Sequence, residues 1–189
     1  AGGYSRRMGS DKALLCYHDV PQALWTFRLL QQVCQEVWIG CRLGQDLGPA
    51  NDLPRICDRK PDRGPAEGIA AALAQDPAAA WLVVACDLPR LILAALRELL
   101  HGRDPNGFAT AYRSAYDGLP EPLCAIYEPR MLPRLQTALD QPRNCPRKLL
   151  IEAGAHVCLL PARSDGALDN VNTPEEAASF SATPSTRTT

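Results

Sequence analysis

Hydrophobic positions along this chain switch between two periods. Leu24, Phe27, Leu30 and Cys34 recur at near-helical spacing, which predicts an amphipathic helix over residues 21–34. EVWIGCR, residues 36–42, reads as a short strand, the polar stretch 43–54 as a loop, and 55–58 as a second strand ending at Asp58. The run Gly64-Pro65-Ala66-Glu67-Gly68 opens a helix extending through Ala74, because proline is tolerated in a first helical turn. Residues 81–86 form a continuous apolar run rich in β-branched residues, the pattern of a central strand buried on both faces. It stops abruptly at Asp87.

The second half is less regular. A helix is predicted over 91–100, closed by Gly102, and strands over 108–113 and 122–127 flank a polar loop containing Asp117 and Gly118. Helices follow over 129–139 and 146–153, the latter ended by Gly154, and a last strand over 156–160. Thr173 can cap a final helix, with Pro174 at its first position and Glu176 completing a capping box. The Ser/Thr-rich tail, 181–189, lacks the periodicity to fold and is expected to be disordered, leaving residues 1–180 as one domain. Strands alternating with helices predict an α/β fold with a mixed, mostly parallel sheet, edged by the β-rich second half. Ligands bind outside the C-terminal strand ends of such sheets, which puts Lys12, Asp58 and Asp87 on one rim.

Composition narrows the class. A chain of 189 residues with 46% hydrophobic and 22% charged residues can bury a single substantial core. Its formal net charge of −1 argues against a general nucleic-acid surface, which needs a cationic excess. None of the eight cysteines has C-x-x-C spacing, and most lie in apolar runs, so reduced cytosolic thiols are expected rather than a disulfide framework. No signal peptide is visible, and the longest apolar run, 78–86, is far short of the ~20 residues a membrane helix needs.

The chemistry-bearing stretch is AGGYSRRMGSDK, residues 1–12. Gly2 and Gly3 let backbone N–H groups approach an anion, while Arg7 offers a planar fork and Lys12 a mobile point charge. The P-loop pattern fails because Ser10 and Asp11 separate Gly9 from Lys12, and the dinucleotide fingerprint fails because Gly2 and Gly3 are adjacent. The stretch reads as a polyphosphate loop of another kind, the plainer alternative being a flexible, basic N-terminus. Asp87, at the end of a buried strand, needs a partner, and Mg²⁺ on a nucleoside triphosphate would supply one. The plainer role for Asp87 is to cap the helix that follows Pro89. His18, His101 and His156 are isolated in sequence and read as structural or exposed.

AGGYSRRMGSDKALL, GPAEGI (64–69), VVACDLP (83–89), EPLCAIY (121–127) and DNVNTPEE (169–176) resemble, in the same order, the blocks of nucleotidyltransferases that attach a nucleotide to molybdopterin. The likeness is greatest to the molybdenum cofactor guanylyltransferases, the molybdopterin-guanine dinucleotide biosynthesis protein A family. It implies a three-layer, Rossmann-like fold and Mg²⁺-dependent transfer of GMP from GTP to the terminal phosphate of molybdopterin, releasing pyrophosphate. By resemblance Gly2 and Gly3 contact the nucleotide, Lys12 its phosphates, Asp58 the nucleoside and Asp87 the Mg²⁺. Arg7, Lys12 and the metal then supply the positive charge that the transition state needs. An anionic acceptor phosphate requires no protein base. The resemblance leaves room for a molybdoenzyme or cofactor-insertion protein as a partner.

Adjacent glycines, and Asn170 and Asn172, look guanylyl-like, and the two asparagines fall on the acceptor side with Arg147 and Lys148. Those two cations are candidates to grip the acceptor's phosphate. Three features depart from the pattern. Ile39-Gly40-Cys41 stands where an asparagine can serve the nucleoside, Glu121 would repel an anionic acceptor, and the hydrophobic first strand that leads into the glycine loop is missing. The expectation is a truncated fragment with an empty central slot in its sheet. A cytidylyltransferase, another small-molecule nucleotidyltransferase and a catalytically silent nucleotide-binding domain are the competing readings.

Overall fold

A computed structural model describes residues 11–60, 63–141, 144–173 and 175–176. Five helices, α1 (Gln22–Leu30), α2 (Pro65–Gln75), α3 (Leu93–His101), α4 (Leu132–Leu139) and α5 (Pro146–Ala153), and six strands are found among these residues. The strands are β1 (Ile39–Cys41), β2 (Arg55–Cys57), β3 (Trp81–Val84), β4 (Ala109–Arg113), β5 (Pro120–Tyr127) and β6 (Val157–Leu160).

The strands fall into two sheets: a parallel pair β1-β2, and a four-stranded sheet in the order β3-β5-β4-β6. Pairing is mixed, parallel for β1-β2 and β4-β6 and antiparallel where β5 meets β3 and β4. The run at Trp81 differs from its expectation in two ways. All four residues of β3 are half-buried, and their partner is the antiparallel β5.

Alternation along β4 and β5 explains the layering. Tyr112, Cys124 and Ile126 face a core built with α1, α3 and β1, whereas Ala109, Ala111, Ala125 and Tyr127 face a second core built with α2, α4 and α5. Helices thus cover both faces of the sheet. The small residues on the second face let α4 and α5 approach, and both buried tyrosines satisfy their hydroxyls, Tyr112 on the Ala95 carbonyl at 2.7 Å and Tyr127 on that of Pro122 at 2.8 Å.

Element ends moved for local reasons. α1 stops at Leu30 rather than Cys34 because Gln32 and Val33 donate to carbonyls three residues back, tightening the last turn. β1 is confined to three residues because its partner begins only after Pro54, which has no N–H to donate; Ile39 donates to the Pro54 carbonyl at 2.8 Å. β5 starts two residues early, at Pro120, which pairs with Arg113 beyond a register shift between Ala111 and Arg113. Residues 129–131 form a 3₁₀ turn leading into α4. Gly64 caps α2 at φ +66°, a backbone angle that glycine adopts without penalty.

Glu128, with its side chain only 3% exposed, receives both prongs of Arg103, Nε at 2.7 Å and Nη2 at 2.9 Å. Removing the guanidinium strands a buried carboxylate. Arg103→Ala is therefore expected to cost ~3 kcal/mol of stability, the low end for a buried pair because Arg103 itself is 40% exposed. Chemical denaturation of the two proteins measures it, and Arg103→Ala with Glu128→Leu should recover most of the loss.

None of the eight cysteines is in a disulfide; Cys41 and Cys57, paired across β1-β2, share a thiol contact at 3.5 Å. Burial pushes the Cys41 thiol up to about 11. Among the described residues no helix is long and apolar enough to cross a membrane.

Candidate functional site

The glycine loop's Gly2, Gly3 and Arg7 lie outside the described residues, as does the tail from 177 onward. From Asp11 the site can be built residue by residue. Asp11 caps a 3₁₀ turn, Lys12–Leu14, by accepting the Ala13 N–H at 3.1 Å. Its second oxygen accepts from Gln45 Nε2 at 2.6 Å and Arg42 Nη2 at 3.3 Å, which fastens the turn to the chain just after β1. Lys12 is thereby presented to the opposite sheet.

There Lys12 Nζ donates to Asp87 Oδ2 at 3.0 Å and to Asn172 Oδ1 at 2.7 Å. Asn170 Nδ2 donates to the other Asp87 oxygen at 3.0 Å, and the Val171 N–H donates to the Asp87 carbonyl at 3.0 Å. Residues 170–172 are thus bound along Asp87 by backbone and side chains together. The segment is held from below as well: Thr173 and Glu176 exchange the reciprocal bonds of a capping box, and Glu176 also accepts the Asn172 N–H at 2.6 Å. Three sequence blocks that carry chemistry meet at one carboxylate. Lys12 and Asp87 are 17% and 19% exposed, open enough for a ligand and closed enough for their charges to matter.

Asp58 follows β2, its N–H donated to the Cys41 carbonyl at 2.8 Å. Burial raises its pKa, and the neighbouring Glu67 carboxylate, itself buried at the start of α2, pushes the same way. Gly68 borders it closely: a Cβ there would stand 3.6 Å from Asp58 Oδ1. A partly buried carboxylate so placed can accept from a nucleoside's hydroxyl or N–H groups.

A cavity of about 130 Å³ opens beside Asp87, walled by Leu88, Leu123 and Leu168 with Glu121, Arg147 and Asn170 as its polar groups. Arg147 stands in the first turn of α5, its Nη1 on Asp117 at 3.1 Å and its Nη2 on Glu121 at 3.0 Å. Lys148 points elsewhere, into an exposed pair with Glu152 at 3.5 Å one turn along the same helix. A larger cleft, about 330 Å³, is lined by Trp38 and Trp81. It lies at the start of β3, the end of the strand remote from Asp87.

Sequence reasoning missed three participants, Tyr17, Asp11 and Tyr116. Tyr17 lies near Asp87, and burial first, then the Asp87 charge, raises its pKa. His18 stacks on Trp25 with ring centroids 4.2 Å apart and donates to the Pro89 carbonyl at 2.7 Å, the structural role expected of it. The turn that makes this possible places Asp19 at φ +61°. Asp11 and Tyr116, which donates to Asp169 Oδ1 at 3.1 Å, complete the set. The only advance signal was Asp11 preceding Lys12, an N-cap residue type before a turn. No cluster of three or more metal-binding side chains occurs among the described residues.

A family model described as "MobA-like NTP transferase domain" matches residues 1–157. The probable molybdenum cofactor guanylyltransferase of Synechococcus elongatus is 35% identical over 187 residues, covering 93% of this chain and 92% of that protein. A molybdenum cofactor biosynthesis bifunctional protein of Synechocystis sp. is 35% identical over 178 residues, and the chain spans only 50% of its length. Among solved structures, molybdopterin-guanine dinucleotide biosynthesis protein A from Archaeoglobus fulgidus superposes with a TM-score of 0.79 at 23% identity, covering 95% of this chain and 93% of that one.

Proposed function

The chain belongs to the MobA-like NTP transferase family, and on that premise we propose that it transfers GMP from GTP to the terminal phosphate of molybdopterin. It is a nucleotidyltransferase of molybdenum cofactor biosynthesis. In the proposed reaction an acceptor phosphate oxygen attacks the α-phosphorus, a new P–O bond forms, the bond to the β-phosphate oxygen breaks, and pyrophosphate leaves. We assign the transferase unit to residues 1–180.

One observation carries this reading: the closed network of Lys12, Asp87, Asn170 and Asn172. Phosphoryl chemistry needs positioned positive charge more than it needs a base. Lys12, already aimed by Asp11, would bind the triphosphate and neutralise the leaving pyrophosphate. The residues present fit Mg²⁺, a hard ion that takes one or two carboxylates with phosphate oxygens and water: Asp87 is a partly exposed carboxylate with the amide oxygen of Asn172 across the shared Lys12. Bound there, the ion would add charge opposite the transferring phosphoryl oxygens. Asn170 holds the Asp87 carboxylate in orientation, and Asp58 would accept from the nucleoside. His18 is engaged with the Pro89 carbonyl and the Trp25 ring.

A CTP reading has one observation in its favour. At the end of β1, Gly40 faces open space and Cys41 is engaged with Cys57, so neither side chain offers a guanine contact. Titration calorimetry with Mg²⁺ separates the two. GTP is expected to bind at least ~10-fold more tightly than CTP, the discrimination that one or two base hydrogen bonds confer. Pyrophosphate should appear only when GTP, Mg²⁺ and molybdopterin are present together. Tighter binding of CTP would replace the guanylyl assignment.

A further inference from the structure

We propose that Glu121 recognises the nitrogen heterocycle of the acceptor, not its phosphate, by accepting from a paired N–H edge of the 2-amino-4-oxopyrimidine type. The inference rests on the nucleotidyltransferase reading above and names which part of the acceptor fills the cavity beside Asp87.

The charge of the cavity excludes a phosphate. Among the described residues lining it Arg147 is the one cation, and each Nη donates to a carboxylate, Asp117 at 3.1 Å and Glu121 at 3.0 Å. One positive and two negative charges leave the cluster net negative, and an anion entering it meets repulsion. Arg147 therefore acts as a positioning residue. It fixes Glu121 from one side while the carboxylate faces the cavity.

Glu121 keeps the acceptor capacity that a heterocycle needs. Its Oε2 accepts from Arg147, and Oε1 accepts from no described residue. A carboxylate has about four lone-pair sites, so Oε1 and the remaining site on Oε2 can take two parallel N–H donors. An aminopyrimidinone presents such a pair, an exocyclic amine beside a ring N–H. The walls suit a flat ring: Leu88, Leu123 and Leu168 are apolar and enclose it without competing for its hydrogen bonds. Asn170 belongs both to the cavity and to the Asp87 network, so a ring seated here adjoins the carboxylate where transfer takes place. Glu121, the residue that contradicts a phosphate subsite, is thereby accounted for.

The test uses two free pteridines that differ at one group. Pterin carries the 2-amino group, and lumazine replaces it with a carbonyl. Binding of each to the whole chain in the presence of GTP and Mg²⁺ is followed by ligand fluorescence, with GTP affinity measured separately by calorimetry. The protein should prefer pterin by ~10-fold or more, as a site built to accept hydrogen bonds rejects the analogue lacking the donor. Glu121→Gln, isosteric and uncharged, should bring the two within about twofold while leaving GTP affinity unchanged. Asp117→Asn, which spares Glu121, should retain the preference.

Equal binding of pterin and lumazine, no binding of pterin, or a preference that survives Glu121→Gln overturns the inference. Loss of the preference in Asp117→Asn also overturns it, because the general charge of the cavity would then be responsible. Failure of GTP to bind, with the pterin preference intact, would instead strike the nucleotide reading and leave the cavity's assignment standing.

Discussion

Asp87→Asn is expected to lower kcat for nucleotidyl transfer by about 10³-fold, the loss typical when a group that stabilises transition-state charge is removed. Stability should barely change. The asparagine keeps an oxygen for Lys12 or Asn170, so the site loses one charge and not its hydrogen bonds, a change of about 1 kcal/mol. The backbone bond from Val171 to the Asp87 carbonyl is untouched by the substitution. Single-turnover pyrophosphate release gives the rate, and thermal unfolding gives the control. The distinction matters because Asp87 could merely staple residues 170–172 to the sheet. In that case the variant would lose several degrees of melting temperature, and its residual activity would recover at lower temperature. A metal titration adds a second readout: higher Mg²⁺ should partly restore a variant whose defect is metal affinity.

Lys12→Met is expected to lower kcat/KM for GTP by ~10²-fold or more, with the larger share in kcat if the ammonium follows charge onto the leaving pyrophosphate. Lys12→Arg should restore little. The site presents Lys12 through a short, tightly capped turn toward two oxygens at 3.0 and 2.7 Å, and a guanidinium is longer and planar. Steady-state kinetics with GTP varied separates binding from turnover. Unchanged kinetics in Lys12→Met would leave the lysine as a counter-ion for Asp87 alone.

How much of this was legible in the sequence follows from the range of each interaction. Asp87 stood out because an apolar run ended at it, and the cap at Thr173 and Glu176 was readable because its bonds span three residues. The entry to α2 was readable at Gly64 and Pro65 for the same reason. Strand direction was not: nothing local in WLVV tells it to run antiparallel to a segment some 40 residues later, and the partner was decided by the α2, α4 and α5 layer that covers β5. Asp11 was passed over because its partners, Arg42 and Gln45, are 31 and 34 residues away. Glu121 was seen, but as a departure. Only folding brought Arg147 to it across 26 residues and made a recognition group of an apparent misfit.

The reach of the Lys12 network has a consequence for how the protein is born. Its bonds span 75, 83 and 160 residues, and the last of them ends at Asn172. A ribosome adding 5–20 residues per second takes roughly 8–30 s to pass from one end of that span to the other. Through that interval the nascent chain carries Lys12 without Asn172, for nearly all of it without Asn170, and for almost half of it without Asp87. Nucleotide capture is therefore expected to arrive late in synthesis, after most of the core has emerged. A chain cut short before residue 170 would keep nearly all of its packing and still lack both asparagines, a folded body without a finished site.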